Sequence, residues 1–293
     1  MFIFELIKTI LIGIVQGITE WLPVSSTGHM ILLNDLIRLD VSDAFWEMFE
    51  VVIQLGSILA VVVLYFGRLN PFCLRKNIGD GGALPLIGRV MMKKDTLRLW
   101  GHVLVAALPA AVVGLLFDDW FNAHFYNSVV VSAALIVYGV LFILVERRHK
   151  NKSFCVTRPE DIRYSTAFGI GCFQVLSLIP GTSRSGSTIL GASLLSVSRD
   201  TAAEFSFFLA VPVMLGASLL KCAGFAEDVA GGEAVFGGEE ALILLVGCAV
   251  AFFVSIAAIR FLMDFVKKHS FSAFGVYRIV LGAVVLAVWF FQR

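Results

Sequence analysis

The sequence predicts an all-α polytopic integral membrane protein made of two inverted-topology repeats. Three observations predict this fold class: few charged residues, long uninterrupted apolar stretches, and two apolar stretches broken by similar short motifs. Of 293 residues, 58% are hydrophobic and only 15% are charged, whereas soluble domains carry about 25% charged residues. So few ionic groups could not cover that much apolar surface in water, and the chain therefore belongs in a bilayer.

Six apolar stretches predict the cores of transmembrane helices, which need about 20 predominantly apolar residues. Five of them contain no Asp, Glu, Lys or Arg, and the last contains one charge, at Arg278. They cover residues 51–67, 99–117, 120–145, 205–220, 241–259 and 270–291.

Two further apolar stretches are interrupted and predict re-entrant helix-loop-helix pairs. Residues 9–33 are broken by Glu20 and by Pro23-Val-Ser-Ser-Thr-Gly28, and residues 164–197 by Pro180-Gly-Thr-Ser-Arg-Ser-Gly186. Each interruption leaves halves that are too short to span a membrane.

Charges in the loops predict the orientation of the chain. Residues 68–98 hold seven Lys and Arg and residues 146–163 hold six, whereas residues 118–119 hold none and residues 221–240 hold one. Because cytoplasmic loops are enriched in basic residues, the first two loops are predicted inside and the other two outside.

This orientation makes residues 51–67 and 205–220 run in opposite directions, although the segments before them are similar. Gly13-Ile-Val-Gln16 matches Gly171-Cys-Phe-Gln174, and Ser25-Ser-Thr-Gly28 matches Ser183-Arg-Ser-Gly186, both at an offset of 158. We therefore predict one membrane domain over 1–293, with repeat 1 over 1–148 and an inverted repeat 2 over 149–293. Each repeat has a re-entrant pair and about three transmembrane helices, and such repeats place their site near mid-membrane.

Two charged residues stand where a membrane protein tolerates them least. Arg184 is the only Lys or Arg between Arg163 and Arg199, and a charge at the bilayer centre costs about 2.5 kcal/mol or more. Its guanidinium matches phosphate oxygens. Glu20 lies four residues after Gln16, on the same helical face, and is predicted to hold a divalent cation or act as a base, with Gln16 as a neutral ligand or hydrogen-bond partner. The alternative is that Glu20 is only a structural partner for Arg184.

Hydroxyl groups and small residues surround these charges in both breaks. Ser26 and His29 add a nucleophile and a proton carrier, the remaining parts that phosphoester hydrolysis needs. A lone Ser or His in a membrane helix is more often a hydrogen-bonding spacer. Backbone N–H groups of both breaks predict an anion-binding nest, so further substrate-binding residues are Ser25, Thr27, Gly28, Thr182, Ser183, Ser185 and Gly186.

A second group of polar residues lies within or beside the predicted spans. For these residues both helix packing and function stay open; they are Glu50, Gln54, Glu204, Ser206 and Arg278.

A different class of protein shares much of this pattern. Inverted repeats with half-helices are also typical of transporters, so a transporter or flippase of a phosphorylated lipid or anion is the alternative to a hydrolase. The Ser-Ser-Thr-Gly-His run favours the hydrolase, because transport needs neither a nucleophile nor a proton carrier. The net charge of +1 gives no reason to expect a nucleic-acid partner.

The two breaks resemble the undecaprenyl-diphosphate phosphatase family of the bacitracin-resistance type. The likeness lies in Gln16-Gly-Ile-Thr-Glu20-Trp-Leu-Pro-Val-Ser-Ser-Thr-Gly-His29 and in Pro180-Gly-Thr-Ser-Arg-Ser-Gly186. The stretches Phe49-Glu-Val-Val-Ile-Gln-Leu-Gly56 and Ala203-Glu-Phe-Ser-Phe-Phe-Leu-Ala-Val-Pro212 fit as well. The likeness thus covers nearly the whole chain.

The resemblance implies hydrolysis of undecaprenyl diphosphate to the monophosphate, which recycles the carrier lipid for cell-wall synthesis and gives bacitracin resistance. It implies a divalent cation, Mg²⁺ or Ca²⁺, and a multi-pass protein of the bacterial inner membrane, with a polyprenyl diphosphate substrate and lipid contacts. By position, Glu20 is the second acid of a Glu/Gln-x-x-x-Glu motif and Arg184 the phosphate-binding arginine. Ser26 is the nucleophile or a serine that contacts the phosphate, and His29 is the catalytic histidine, which could exchange roles with Ser26. Gln16 replaces a carboxylate found in other members, and small residues in the spans permit a homodimer.

Overall fold

Helices account for most of the chain because a backbone inside a bilayer must satisfy its own hydrogen bonds. The structure, a computed structural model, describes residues 2–74, 82–87, 90–149 and 154–291. Within these residues the helices are α1 Phe2–Thr19, α2 Ser26–Ile37, α3 Asp43–Leu64, α4 Phe66–Leu69, α5 Lys94–Phe125, α6 Ser128–His149, α7 Tyr164–Val175, α8 Arg184–Leu194, α9 Arg199–Gly231, α10 Gly238–Lys268 and α11 Ser272–Phe291. The strands are β1 Phe72–Leu74, β2 Ala83–Ile87 and β3 Val90–Lys93.

Seven of the described helices are long and apolar enough to cross a membrane: α1, α3, α5, α6, α9, α10 and α11. This confirms the predicted helical, multi-pass membrane protein. Six of them overlap the predicted spans over most of their length, but α1 is longer than the half-helix predicted before the first break. It begins at Phe2 and includes Glu5 and Lys8, whose side chains form an ion pair at 2.8 Å. An ion pair at this spacing lies on one face of the helix and adds to its stability.

The predicted outside loop at residues 118–119 is wrong. Helix α5 continues through these residues to Phe125, and the chain turns at Tyr126 and Asn127. The Asn127 Oδ1 accepts a hydrogen bond from the Val130 backbone N–H at 3.0 Å, which caps the start of α6. Two acidic residues do not stop a helix, whereas an asparagine cap defines where the next one begins.

A small antiparallel sheet lies in the basic segment between α4 and α5, in the order β1-β3-β2. Phe72 pairs with Met92, and Leu84 pairs with the same residue from the other side. The all-α prediction therefore lacks this element. Loop charge predicts the side of the membrane on which a segment lies, but it carries no information about secondary structure.

Helices from the two predicted halves pack across each other. α1 packs on α10 and α7 packs on α5, while α3 packs on α9 and α6 on α11. The α3–α10 contact is so close that a Cβ at Gly56 would lie 2.1 Å from the Cys248 carbonyl oxygen. Packing of each half on the other is consistent with two related halves. Their opposite insertion and the boundary between residues 148 and 149 stay predictions.

An ion-pair network ties α4 to α9 at the end of the bundle that carries the basic loops. Arg68 donates hydrogen bonds to both Glu204 and Glu160. Burial disfavours the charged form of Arg68, but hydrogen bonds with Glu160 and Glu204 outweigh it, so its pKa lies above its ordinary value. Glu204, which the sequence left open between packing and function, is an ion-pair partner of Arg68 here.

Candidate active site

The two breaks fold in the same way. Ser25 and Ser183 both have a positive φ, 72° and 71°, and each side chain caps the helix that follows. Ser25 Oγ accepts from the Gly28 N–H at 3.3 Å, and Ser183 Oγ accepts from the Gly186 N–H at 3.1 Å. Helices α2 and α8 thus both begin at a break with amides that have no carbonyl partner within the helix.

Glu20 is the centre of a buried polar cluster. Its Oε1 accepts from Arg184 Nη2 at 2.8 Å, and its Oε2 accepts from Gln16 Nε2 at 3.0 Å and from Ser26 Oγ at 3.2 Å. Only 5% of Glu20 is exposed. Gln16, Glu20, Ser26 and Arg184, predicted from two distant motifs, are therefore brought together.

Arg184 is held in place from several sides. Its Nη1 donates to the Ser206 carbonyl oxygen at 2.9 Å, and its Nη2 lies 3.5 Å from the Met214 sulfur. Its guanidinium lies over the Trp21 ring, 5.6 Å from the ring centroid. Arg184 Nε is buried without a hydrogen-bond partner among the residues that the structure describes. One donor of the guanidinium thus has no partner in this part of the chain.

His29 is bonded to other groups than the Glu20 cluster. Its Nδ1 lies 2.7 Å from the Ser25 carbonyl oxygen and its Nε2 lies 2.7 Å from the Tyr277 hydroxyl. Because a carbonyl can only accept, Nδ1 carries a hydrogen, and in a neutral ring Nε2 accepts from Tyr277. The two rings also stack, with an angle of 8° between their planes.

Arg278 connects the two breaks. It is fully buried and donates to the carbonyl oxygens of Pro23 at 3.3 Å and of Gly181 and Thr182 at 2.9 Å. No carboxylate of the described part of the chain forms an ion pair with it. The sequence left this residue open between packing and function, and the structure makes it the cation that holds both breaks together.

The other residues predicted for the breaks mostly bond to protein. Ser185 Oγ donates to the Glu20 carbonyl oxygen at 3.2 Å, which joins the second break to the first. Thr182 is buried and uses its carbonyl for Arg278, and Gly186 leaves the space that Arg278 Nη1 occupies. Whether these residues, Ser25, Thr27, Gly28 or Ser183 also touch a substrate stays a prediction.

The remaining second-group residues divide between the site and other places. Ser206 belongs to the site, because it accepts from Arg184. Glu50 lines a separate cavity of about 240 Å³ with Asn34 and Tyr126, and Gln54 Nε2 donates to the Glu50 carbonyl oxygen.

Sequence reasoning missed Trp21 and Tyr277. Trp21 follows Glu20 directly, and Tyr277 precedes the only charged residue of its span. Their position next to a charged residue was the only sign in the sequence that they could belong to the site. An aromatic residue in a membrane helix is too common to be singled out without its spatial neighbours.

Comparison of the sequence with known proteins shows which family this chain is like. The family model for bacitracin resistance protein BacA matches residues 9–284. The chain is 54% identical to an undecaprenyl-diphosphatase of Enterococcus faecalis over 292 residues, which covers 100% of both chains. It is 54% identical to one of Acetivibrio thermocellus over 282 residues (96% and 97%) and 53% identical to one of Lactococcus lactis over 289 residues (98% of each).

Proposed function

This chain belongs to the bacitracin resistance protein BacA family, and we propose that it hydrolyses undecaprenyl diphosphate at the Glu20–Arg184 pair. The products are undecaprenyl phosphate, which returns as carrier lipid for cell-wall synthesis, and inorganic phosphate. Recycling of the carrier is what gives resistance to bacitracin. The observation that supports this site most is the pairing of Arg184 with Glu20 while the same carboxylate accepts from a serine hydroxyl.

Arg184 is arranged to bind the terminal phosphate. Ser206 fixes Nη1, which leaves the edge formed by Nε and Nη2 to face a ligand. Nε has no partner within the described residues and Nη2 holds Glu20. Two phosphate oxygens can occupy that edge side by side, since a guanidinium binds phosphate through two parallel hydrogen bonds. Substrate binding thus exchanges Glu20 for phosphate on Nη2.

Ser26 is then the nucleophile and Glu20 its base. The Ser26 hydroxyl already donates to Glu20 Oε2 at 3.2 Å, within the range that proton transfer requires. Ser26 Oγ attacks the terminal phosphorus while the bond to the bridging oxygen breaks. The serine proton passes to Glu20, undecaprenyl phosphate leaves, and water cleaves the phosphoserine. A transporter would need no such activated hydroxyl, so this contact favours hydrolysis over translocation.

The residues fit Mg²⁺ that arrives with the diphosphate. No three His, Cys, Asp or Glu side chains gather as a metal site among the residues that the structure describes, and Glu20 is the one carboxylate of the cluster. Mg²⁺ is commonly held by one or two carboxylates together with substrate phosphates. Glu20 would be its carboxylate ligand, with the Gln16 amide oxygen as a neutral partner. When bound, the cation would neutralise charge on the phosphate oxygens. Ca²⁺, which takes six to eight oxygen ligands, fits this cluster less well.

The nucleophile is tested by trapping the enzyme with a labelled terminal phosphate. Purified protein in detergent is mixed with undecaprenyl diphosphate carrying the label and quenched in acid or in base. A label that survives acid and is absent from Ser26→Ala supports phosphoserine. A label that survives only base and is absent from His29→Ala identifies His29 instead. Phosphate release without any trapped label under either quench would favour direct attack by water.

Tyr277→Phe is expected to lower kcat with little change in KM. The substitution keeps the stacked ring but removes the hydroxyl from His29 Nε2, so the imidazole is held less firmly. We assign His29 the role of the base for the water that cleaves the phosphoserine. The loss should therefore be smaller than that of His29→Ala, which removes an acid–base group worth about 10²–10⁴-fold. Steady-state phosphate release measures both. Tyr126→Phe is the matched control, since Tyr126 lies beside Glu50. Equal rates for Tyr277→Phe and wild type would exclude this role.

For location, we propose the inner membrane of a bacterium, with the basic loops in the cytoplasm. The relatives named above are bacterial, and seven apolar helices make the protein multi-pass. A homodimer stays a prediction from the small residues of the spans.

A further inference from the structure

The cavity beside Glu50 lies between α2, the first turns of α3, and the turn that joins α5 to α6. Its volume is about 240 Å³, and Glu20 and the residues bonded to it do not line it. The polar and aromatic members of its lining are Asn34, Trp46, Glu50, Tyr126, Asn127 and Ser128. The proposed reaction uses none of them, so the cavity is a separate feature of the molecule.

This end of the bundle lies at the level of the lipid head groups. Helix α5 begins at Lys94, next to the basic segment, and has 32 residues, so it is about 48 Å long. The hydrocarbon core of a bilayer is only about 30 Å thick. The turn at the far end of α5, which lines the cavity with Tyr126 and Asn127, therefore lies in the head-group region, where Trp and Tyr are enriched.

Glu50 gives the cavity a negative charge that the protein does not balance there. Glu50 is partly buried, and it forms no ion pair within the part of the chain that the structure describes. Lys221, a cation of the neighbouring α9, pairs with Glu47 at 3.6 Å instead. No Lys, Arg or His is among the described residues that line the cavity. Because a carboxylate out of bulk water is costly without a partner, a positively charged occupant is favoured.

An organic cation fits this lining better than a metal ion. Glu50 is the only carboxylate among the described lining residues, and it balances a single positive charge, whereas Ca²⁺ takes six to eight oxygen ligands. Trp46 and Tyr126 bring aromatic rings, which attract organic cations. The volume equals that of about eight waters, which is enough for an ammonium group with its nearest carbons and too small for a lipid chain.

The acceptors in the cavity favour a primary ammonium over a quaternary one. Asn34 and Ser128 bring side-chain oxygens to which no other described residue bonds, and the Glu50 carboxylate is the third acceptor. The Asn127 side chain is already used, because its Oδ1 accepts from the Val130 N–H. Three acceptors match the three N–H donors of a primary ammonium group, whereas a quaternary ammonium has none.

The cavity can be reached from water and from the membrane. Tyr126 and Asn127 are exposed at the head-group level. Val129, which directly follows Ser128 of the lining, is 41% exposed and begins the apolar surface of α6. An amine can therefore enter from solution, or on a lipid whose chains lie along α6.

We propose that this cavity binds a primary ammonium group, carried by an aminophospholipid head group or by a free amine. The ammonium donates to Glu50, Asn34 and Ser128 and lies beside the Trp46 ring. These residues belong to α2, α3 and α6, so an occupant joins three helices and raises the unfolding temperature. The inference is independent of the proposed reaction, because it is tested by binding alone.

The first test compares head groups on the wild-type protein. Thermal unfolding in detergent is recorded with phosphatidylethanolamine, with its N-methyl and N,N-dimethyl forms, and with phosphatidylcholine, all with the same acyl chains. The unfolding temperature should rise most with phosphatidylethanolamine, less with each added methyl group, and least with phosphatidylcholine, because each methyl removes an N–H donor. Equal shifts with phosphatidylethanolamine and phosphatidylcholine would overturn the proposal.

Glu50→Gln tests the carboxylate, since it keeps the size of the side chain and removes the charge. The phosphatidylethanolamine concentration that gives half of the shift should rise about tenfold or more, because a hydrogen bond to a charged group is worth about that much. Glu47→Gln is the matched control, one turn earlier on α3 and outside this cavity, and should respond like wild type. The same response from both variants would contradict the site.

Asn34→Leu provides a second variant that leaves the charge in place. It removes one acceptor at similar side-chain size, so it should weaken the shift with phosphatidylethanolamine and leave the small shift with phosphatidylcholine unchanged. Equal weakening with both lipids would show that the variant acts on the fold and not on the ammonium group, and would count against the proposal.

Ethanolamine separates the two sources of the ammonium group, with NaCl at the same ionic strength as the reference. A shift with ethanolamine that Glu50→Gln loses assigns the site to free amines as well as lipids. A shift with phosphatidylethanolamine alone assigns it to the lipid head group. If NaCl gives the same shift as ethanolamine, and phosphatidylethanolamine gives none beyond phosphatidylcholine, the cavity binds no ammonium group.

Discussion

Arg184→Ala is expected to reduce phosphate release from undecaprenyl diphosphate by about 10³-fold or more. Arg184 is the only cation bonded to Glu20 in the part of the chain that the structure describes, and it is the group that meets the terminal phosphate in the proposed reaction. Preorganised cations that stabilise a transferring phosphoryl group are worth about 10³–10⁵-fold. Arg184→Lys keeps the charge but loses the bidentate hydrogen bonding of the guanidinium, so most of the loss of activity should persist.

The same substitution also leaves a buried carboxylate alone. Removing one partner of a buried ion pair costs about 3–5 kcal/mol of stability, so a lost activity could come from unfolding. Thermal unfolding of Arg184→Ala in the same detergent is therefore the control, and phosphate release is measured well below its unfolding temperature. Folded Arg184→Ala should still release almost no phosphate. If folded Arg184→Ala released phosphate at the wild-type rate, Arg184 would be a structural residue.

Arg278→Met is expected to lower both the unfolding temperature and the rate of phosphate release. The side chain donates to three buried carbonyl oxygens, one from the first break and two from the second. Each carbonyl left without a donor costs about 1–3 kcal/mol, partly offset because a buried cation without a carboxylate partner is also removed. As the breaks move apart, the relative position of Ser26 and Arg184 changes, and a shift of about 1 Å can cost about 10²-fold in rate.

Thermal unfolding and phosphate release, measured on the same detergent preparation, test this role. Arg260→Met is the matched control, because Arg260 is exposed and lies outside the site. Arg278→Lys should fall between wild type and Arg278→Met, since an ammonium group can donate to some of the three carbonyls. A fully active Arg278→Met protein with an unchanged unfolding temperature would show that the breaks do not depend on this cation.

Much of the site could be predicted from the sequence because charge is expensive in a bilayer. Glu20 and Arg184 stand out in apolar surroundings, and no ordinary packing requirement explains them. The predicted spans were also largely right, since they rest on length and hydropathy alone. The turn placed at residues 118–119 failed because the decisive feature was a helix cap at Asn127, which composition does not reveal.

Other residues of the site could not be predicted from the sequence. They do not stand out in an apolar chain as a charged residue such as Arg184 does. Tyr277 and Trp21 are aromatic residues in an apolar chain, and only their contacts with His29 and Arg184 distinguish them. Arg278 was visible as a charge, but its three carbonyl partners belong to backbone that any residue could provide. The sequence does not show which backbone carbonyl groups accept a hydrogen bond, because every residue has one.

The sequence by itself thus determined that this protein lies in a membrane, that two breaks interrupt its helices, and that an acid and an arginine belong to them. These features follow from the free energy of single residues in hydrocarbon. A charge or an unpaired backbone group is costly there, so it persists only where a partner or a function requires it. Only the tertiary structure decided that Glu20 and Arg184 pair with each other and that Arg278 joins the breaks. Those depend on packing between residues more than 90 positions apart, where the free energy of a contact is set by geometry rather than by composition.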